Sequence, residues 1–241
     1  MQLLCRLRVT FNSMRRLLIL DTETTGLKPE DGAKVIEIGA ILFDVKQREV
    51  VSQLGFLLPT LTNEAEHVNR IKPELTMSAP DLAAEMAKSF WCMVDHADYV
   101  VAHNAAFDSK WFGEGGCLPE MPLPWICTME DVKWPLNTKR GRPSVVSLAL
   151  DYGIPVWSAH RALTDCGYLA EVMKREPNLE QLLIQALEPR QVYISCLPYE
   201  LRQQCKDAGF VWSEIVPKKW AKKMTAAEAA ELPFQVRLAA V

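Results

Sequence analysis

The stretch Leu17-Leu18-Ile19-Leu20-Asp21-Thr22-Glu23 decides the reading of this chain, because an apolar, strand-like run ends in two acids two residues apart. Successive side chains of a strand alternate between faces, so Asp21 and Glu23 project from the same one. Two carboxylates so placed repel each other, and an apolar strand that delivers both is costly to build unless a cation lies between them. The competing reading is that both acids merely cap the following loop, Thr24-Thr25-Gly26-Leu27-Lys28-Pro29. The pair by itself leaves both readings open.

Working outward, VIEIGAILFDV at residues 35–45 is a second strand-like stretch rich in β-branched residues, and a third runs from about Glu49 to Leu58 after the polar turn Lys46-Gln47-Arg48. The opening therefore predicts an antiparallel meander of three strands. Strand and helix patterns then alternate. Ser78-Ala79-Pro80-Asp81 opens a helix over about 82–94, a short buried strand covers 98–103, a helix starts at 104–112, and a short strand covers 124–128. Two later helices are predicted over 144–152 and 162–175; in the second, Ala162, Cys166, Leu169, Ala170 and Met173 share one face. Antiparallel strands followed by this alternation predict a mixed α/β sheet.

Composition sets the outer bounds. The chain has 241 residues, 49% of them hydrophobic and 24% charged, the balance of an ordinary globular protein with room for one main domain and a small appendage. No run approaches a transmembrane span, so no membrane partner is expected. The net charge of −3 gives no global attraction to a polyanion, so binding of nucleic acid would need local basic patches or bound metal. Seven scattered cysteines without a C-x-x-C pair read as reduced thiols of a cytoplasmic protein, not as a disulfide framework or zinc site. Composition shifts near Pro189. The expected division is an extension at 1–14 outside the fold, with Met14 as the start of the folded unit, a main domain at 15–188, and a small βαβ-like α+β unit at 189–241.

Two further acids give the opening pair a context. Asp108 follows the strand-like YVVAHN, and Asp165 sits in HRALTDCGYLAEVM five residues after His160. Singly, each reads as a helix residue. As a set, Asp21, Glu23, Asp108 and Asp165 suit two-metal phosphodiester hydrolysis, in which hard cations select oxygen ligands. His160 then has a task other than ligation, as the general base that takes a proton from water, a task suited to histidine because free imidazole titrates at about 6.5.

The segments LILDTETTGL, VIEIGAILFD, VVAHNAAFD and HRALTDCGYLAEV resemble, in order, the exonuclease motifs of the DnaQ-like DEDDh family over roughly residues 16–175. HVNRI, WICTM and HRALTDC resemble exodeoxyribonuclease X more than the polymerase proofreading subunit or ribonuclease T. The resemblance implies a ribonuclease H-like fold, a mixed five-stranded sheet with flanking helices. It also implies a site in which Asp21, Glu23 and Asp165 hold one Mg²⁺, Asp21 bridges to a second near Asp108, Mn²⁺ can substitute, and His160 is the general base. Thr24, Thr25, Gly26 and Leu27 match the segment that receives the 3′-terminal nucleotide. Phe107 would pack on its sugar and base, and Asn104 would steady the loop. His103 reads as an orienting residue at the strand end. Asn69 stands where relatives often place a histidine near the substrate, so no contact is carried over to it.

The resulting expectation is a 3′→5′ exonuclease that releases nucleoside 5′-monophosphates from nucleic acid with a free 3′ end, of DNA in preference to RNA and of single-stranded ends. Three alternatives stay open at this point: a proofreading subunit held by a polymerase, an RNA-trimming exonuclease, and a non-catalytic nucleic-acid-binding module. The run Lys139-Arg140-Gly141-Arg142 reads either as a grip on upstream phosphates or as a solvated loop. In the tail, Trp212 and Trp220 interleave with Lys218, Lys219, Lys222 and Lys223. That pattern fits base stacking over a phosphate track, or the core of a small unit.

Overall fold

In the computed structural model, strand Arg16–Thr24 (β1) pairs antiparallel with Val35–Asp44 (β2), which pairs antiparallel with Glu49–Leu57 (β3). The structure describes residues 14–135, 143–158 and 160–239; residues 1–13 of the expected extension and the basic run at 139–142 lie outside the described residues. Short helices Glu66–Asn69 (α1) and Pro73–Thr76 (α2) lead to Pro80–Val94 (α3). Tyr99–Ala102 (β4) then pairs parallel with β1, Ala105–Ser109 (α4) follows it, and Trp125–Cys127 (β5) pairs parallel with β4. Helices Val145–Asp151 (α5), Ala162–Arg175 (α6) and Leu179–Ala186 (α7) complete the first of two compact units. The sheet order is β3-β2-β1-β4-β5, the mixed five-stranded sheet with flanking helices that the family resemblance implies.

Helices on both faces explain the apolar runs. Leu17, Leu18, Ile19 and Leu20 are each at most 1% exposed, and all ten residues of β2 are buried. Leu18 and Leu20 join Phe90, Met93 and Val94 of α3 in one core cluster. Leu17, Ile19, Asp21 and Glu23 point to the other face, which α6 covers; the Cys166 thiol of α6 lies 3.3 Å from the Gly39 carbonyl oxygen of β2.

Two glycines allow α6 to come so close. Asp21, Gly39 and Gly55 stand side by side across β1, β2 and β3. A methyl group added at Gly39 would lie 2.3 Å from the backbone of Ala162 and Leu163, whereas at Gly55 it would meet the Leu163 side chain at 2.9 Å. The first turn of α6 therefore rests on bare backbone, and that contact carries Asp165 toward the acids of β1.

The second unit spans 187–241. Its strands are Gln191–Ser195 (β6), Val211–Trp212 (β7), Trp220–Met224 (β8) and Val236–Leu238 (β9), with helices Arg202–Asp207 (α8) and Ala226–Ala230 (α9) between them. All its pairings are antiparallel, in the order β7-β8-β6-β9. The expected βαβ-like arrangement is thus present only in split form: β6 and β7 run the same way but β8 lies between them. Trp220 packs on the core of Cys205, Phe210 and Met224, while Trp212, its ring centre 5.6 Å away, is 48% exposed. Lys222 donates to the Ala208 carbonyl oxygen, and Lys218, Lys219 and Lys223 are exposed.

The packing of α6 makes a test. Gly39→Ala is expected to lower stability by about 1–3 kcal/mol, because the clash is with backbone that no rotamer change relieves. Gly55→Ala, which meets only a side chain, is expected to cost less. Denaturant unfolding of the two variants checks the order; equal stabilities would mean that α6 does not rest on Gly39.

Candidate active site

The geometry begins with α4. Asn104 adopts a left-handed conformation (φ 71°), turning the chain sharply from β4 into this short helix, and Phe107 N–H donates to the Asn104 carbonyl at 2.7 Å. The turn brings Asp108, only 2% exposed, against β1. There its Oδ1 accepts from both the backbone N–H (3.0 Å) and the hydroxyl (2.8 Å) of Thr22, the residue between Asp21 and Glu23.

From the other side, α6 supplies Asp165. Its Oδ2 accepts from the His160 backbone N–H at 3.2 Å, and its Oδ1 is buried with no hydrogen-bond partner among the described residues. A ring nitrogen of His160 and carboxylate oxygens of Glu23 and Asp165 all lie within 4.8 Å of one another. Asp21 faces the same group: its pKa is pushed well above the ordinary value by burial first, then by the charges of Asp108, Glu23, Asp165 and Glu37. Glu23 rises to about 8, again through burial first and then Glu37, Asp165 and Asp108, with Arg161 pulling it back. Burial lifts Asp108 to about 7 against the opposing hydrogen bonds from Thr22, and burial raises Asp165 while the His160 N–H lowers it. Desolvation thus pushes all four acids toward neutrality, and for Asp21 and Glu23 the neighbouring carboxylates add to it.

Next to the acids lies a cavity of about 560 Å³ whose lining includes Glu23, Thr24, Thr25, Gly26, Leu27 and Phe107. Its size falls in the usual range for small-molecule sites. Turn chemistry shapes its rim. Thr24 Oγ1 donates to the Gly26 carbonyl at 2.7 Å, and Thr25 exchanges two bonds with the backbone of Lys34. Leu27 is 76% exposed. Phe107 lies half-buried under Lys110, whose Nζ is 4.1 Å from the ring centre and donates to the Leu27 carbonyl, so the rim and α4 are tied together.

The other singled-out residues have structural partners. Asn104 is not among the lining residues and sits at the α4 turn. Asn69 does line the cavity but is 1% exposed and its amide is occupied, donating to the Thr24 carbonyl at 3.1 Å and accepting from Ile71 N–H at 3.1 Å and from the Asn63 amide at 2.8 Å. His103 bonds Thr128 Oγ1 and the Pro143 carbonyl. Sequence reasoning missed Glu37. It is 4% exposed on β2, directly opposite Glu23, and its carboxylate takes the Arg161 guanidinium and the Ala162 N–H. The available signal was an acid inside the wholly apolar VIEIGAILF, since a buried glutamate needs a partner.

Comparisons with known proteins add the lineage. The family model described as "Exonuclease" matches residues 18–173, and a model for a domain of unknown function matches 191–239. DNA polymerase III subunit epsilon of Treponema pallidum (strain Nichols) is 29% identical over 160 residues, covering 63% of this chain and 72% of that protein. Exodeoxyribonuclease 10 of Escherichia coli (strain K12) is 28% identical over 163 residues, covering 65% and 66%. The crystal structure of the nuclease domain of 3′hExo, a DEDDh family member bound to rAMP, superposes with a TM-score of 0.53 at 15% identity, over 67% of this chain and 91% of that one, and so speaks to the fold alone. With the exonuclease model spanning more than half of its length, the chain belongs to the exonuclease family, among the DnaQ-like DEDDh 3′→5′ exonucleases.

Proposed function

We propose that the protein removes nucleoside 5′-monophosphates one at a time from the 3′ ends of DNA, preferentially single-stranded ends, in a soluble, cytoplasmic setting. The observation that carries this reading is the convergence of Glu23, His160 and Asp165 within 4.8 Å, beside Asp21, with Glu23 also lining the 560 Å³ cavity. The deoxyribonuclease name of one relative supports DNA over RNA. Among the described residues no helix is long and apolar enough to cross a membrane.

The donor set fits hard cations. Exonucleases of this family depend on divalent metal, and here the Asp165 Oδ1 is buried without a partner among the described residues while Asp21, Glu23 and Asp108 are all pushed toward protonation, a state that a cation would reverse. Asp21, Glu23, Asp108 and Asp165 would hold two Mg²⁺, or Mn²⁺. When bound, the ions supply a water of lowered pKa and stabilise charge on the leaving 3′ oxygen. Thr24, Thr25, Gly26 and Leu27 receive the terminal nucleotide, and Phe107 supports its sugar and base. Asn104 holds the turn that presents Phe107 and Asp108. His160 takes the proton of the attacking water, and its ring nitrogen lies within 4.8 Å of carboxylate oxygens of Glu23 and Asp165.

A second reading, in which a polymerase holds the chain as a proofreading subunit, is favoured by the likeness to subunit epsilon. The unit at 187–241 is then the natural candidate for a tether. Co-purification with a polymerase that is lost on deleting 190–241 would favour it. The deletion is otherwise expected to leave a folded, active nuclease, since every proposed catalytic residue precedes it.

Four outcomes test the main reading. Asp21→Asn and Asp165→Asn should abolish release of mononucleotide from a 3′-labelled oligonucleotide while preserving the fold; near wild-type turnover at saturating Mg²⁺ would sink the metal assignment. His160→Ala should slow turnover by roughly 10²–10⁴-fold with substrate binding less affected. Ca²⁺ in place of Mg²⁺ should permit binding but suppress hydrolysis, because it accepts looser geometry. Matched single- and double-stranded DNA and RNA assayed side by side should rank single-stranded DNA first.

Stability offers an independent check. Glu23 has its folded-state pKa raised from 4.5 to about 8, so the folded protein keeps a proton that the unfolded chain releases. The stability this contributes is complete below the lower value and is lost as pH rises through the upper one. The melting temperature of chelator-treated protein should therefore fall across that interval, and excess Mg²⁺ should remove the fall. A flat profile in chelator would contradict the crowding of the acids.

A further inference from the structure

His160 has an unusual mount. Its backbone is in the left-handed region (φ 63°), an uncommon conformation for a non-glycine residue. Both flanks of the residue are anchored. Upstream, the buried Tyr168 hydroxyl accepts from the N–H groups of Trp157 and Ser158, each at 3.0 Å, and donates to the Ser158 carbonyl. Downstream, the next two residues are fastened to one carboxylate. Arg161 sends Nε to both Glu37 oxygens (3.1 and 3.0 Å) and a terminal nitrogen to Oε1 (2.7 Å), while Ala162 N–H reaches Oε2 at 3.0 Å.

Glu37 is not an arbitrary anchor. It belongs to β2 and is the cross-strand partner of Glu23, so whatever it holds is registered directly to the strand pair that carries two of the proposed metal ligands. A planar guanidinium fork on a carboxylate fixes orientation as well as distance, which a single point charge does not. Arg161 also lies close enough to Glu23 for the two charges to influence each other. A base that must meet one water beside the acids needs such a reference, because errors of about 1 Å in reacting groups can cost 10²-fold in rate.

We propose that Glu37 and Arg161 are positioning residues for His160: a carboxylate on the sheet and a guanidinium on the following residue together set the general base over the acids. In this role neither group touches the reacting atoms. The inference rests on His160 acting as the base.

The test is a double-variant cycle read by single-turnover cleavage of a 3′-labelled DNA oligonucleotide with Mn²⁺. Glu37→Gln keeps an oxygen for the Ala162 N–H but loses the charged fork. It is expected to slow cleavage by roughly tenfold or more, with the half-saturating concentrations of oligonucleotide and Mn²⁺ nearly unchanged. Placed in a His160→Ala protein, the same substitution should add almost nothing, because residues that act as a unit are non-additive. Should Glu37→Gln fail to fold, as judged by its melting curve, Arg161→Lys carries the same cycle, since it keeps the charge and loses only the fork.

An equal loss with and without His160 would overturn the inference, placing the effect on the acids or the fold, and an unimpaired Glu37→Gln enzyme would overturn it as well. If instead the His160→Ala protein cleaves normally, the general-base reading fails first and takes this inference with it. The two failures are therefore distinguishable in one set of measurements.

Discussion

The burial of several carboxylates in one place, around Asp21 and Glu23 of β1, is the constraint that the rest of this structure accommodates. Asp21 and Glu23 leave β1 on the same side, Glu37 joins them from β2, and Asp108 and Asp165 approach from two different helices. Desolvation and like charge both raise the cost of keeping these groups ionised. Such a cluster survives only if the surrounding packing holds it, and the packing is supplied by an unusually close seat for α6. Gly39 and Gly55 remove the side chains that would keep the helix away, and the apolar α6 residues Cys166, Leu169 and Met173 are almost wholly buried.

Each acid is held by a different device, and the devices divide the work. Thr22 holds Asp108 through two donors, which opposes its protonation and fixes the carboxylate against β1. Asp165 has one oxygen on the His160 N–H and leaves the other unmatched. Glu37 alone is fully paired, with Arg161, which separates it from the acids that need a cation. Alongside, the threonines of the β1 loop use their hydrogen bonds on local backbone, so the cavity rim is shaped by turn chemistry and remains open to a nucleotide.

The second unit obeys the same local rules with a different outcome. Its tryptophans divide between two roles that the sequence could not separate: Trp220 joins the core and Trp212 remains half-exposed. Lys222 caps the end of α8 through the Ala208 carbonyl, while Lys218, Lys219 and Lys223 point to solvent. A K-K-W-A-K-K string is symmetrical to the eye, but strand alternation and one helix terminus make its lysines unequal.

Most of the fold was legible in the chain. Strand alternation and β-branched runs located β1, β2 and β3 to within a residue or two, and helical spacing located α3, α5 and α6, because these patterns are local and burial on both faces left them almost pure. The spacing of Asp21 and Glu23 also determined, without any structure, that the two acids share a face. What the chain could not reveal was everything set by residues far apart in sequence meeting in space. That Gly39 lies under Ala162, that Asp108 reaches Thr22, and that Glu37 takes Arg161 depend on strand register and on how closely a helix can approach a sheet. Those contacts are set by packing, which no local pattern encodes, and they alone decide which acid is strained and which is paired.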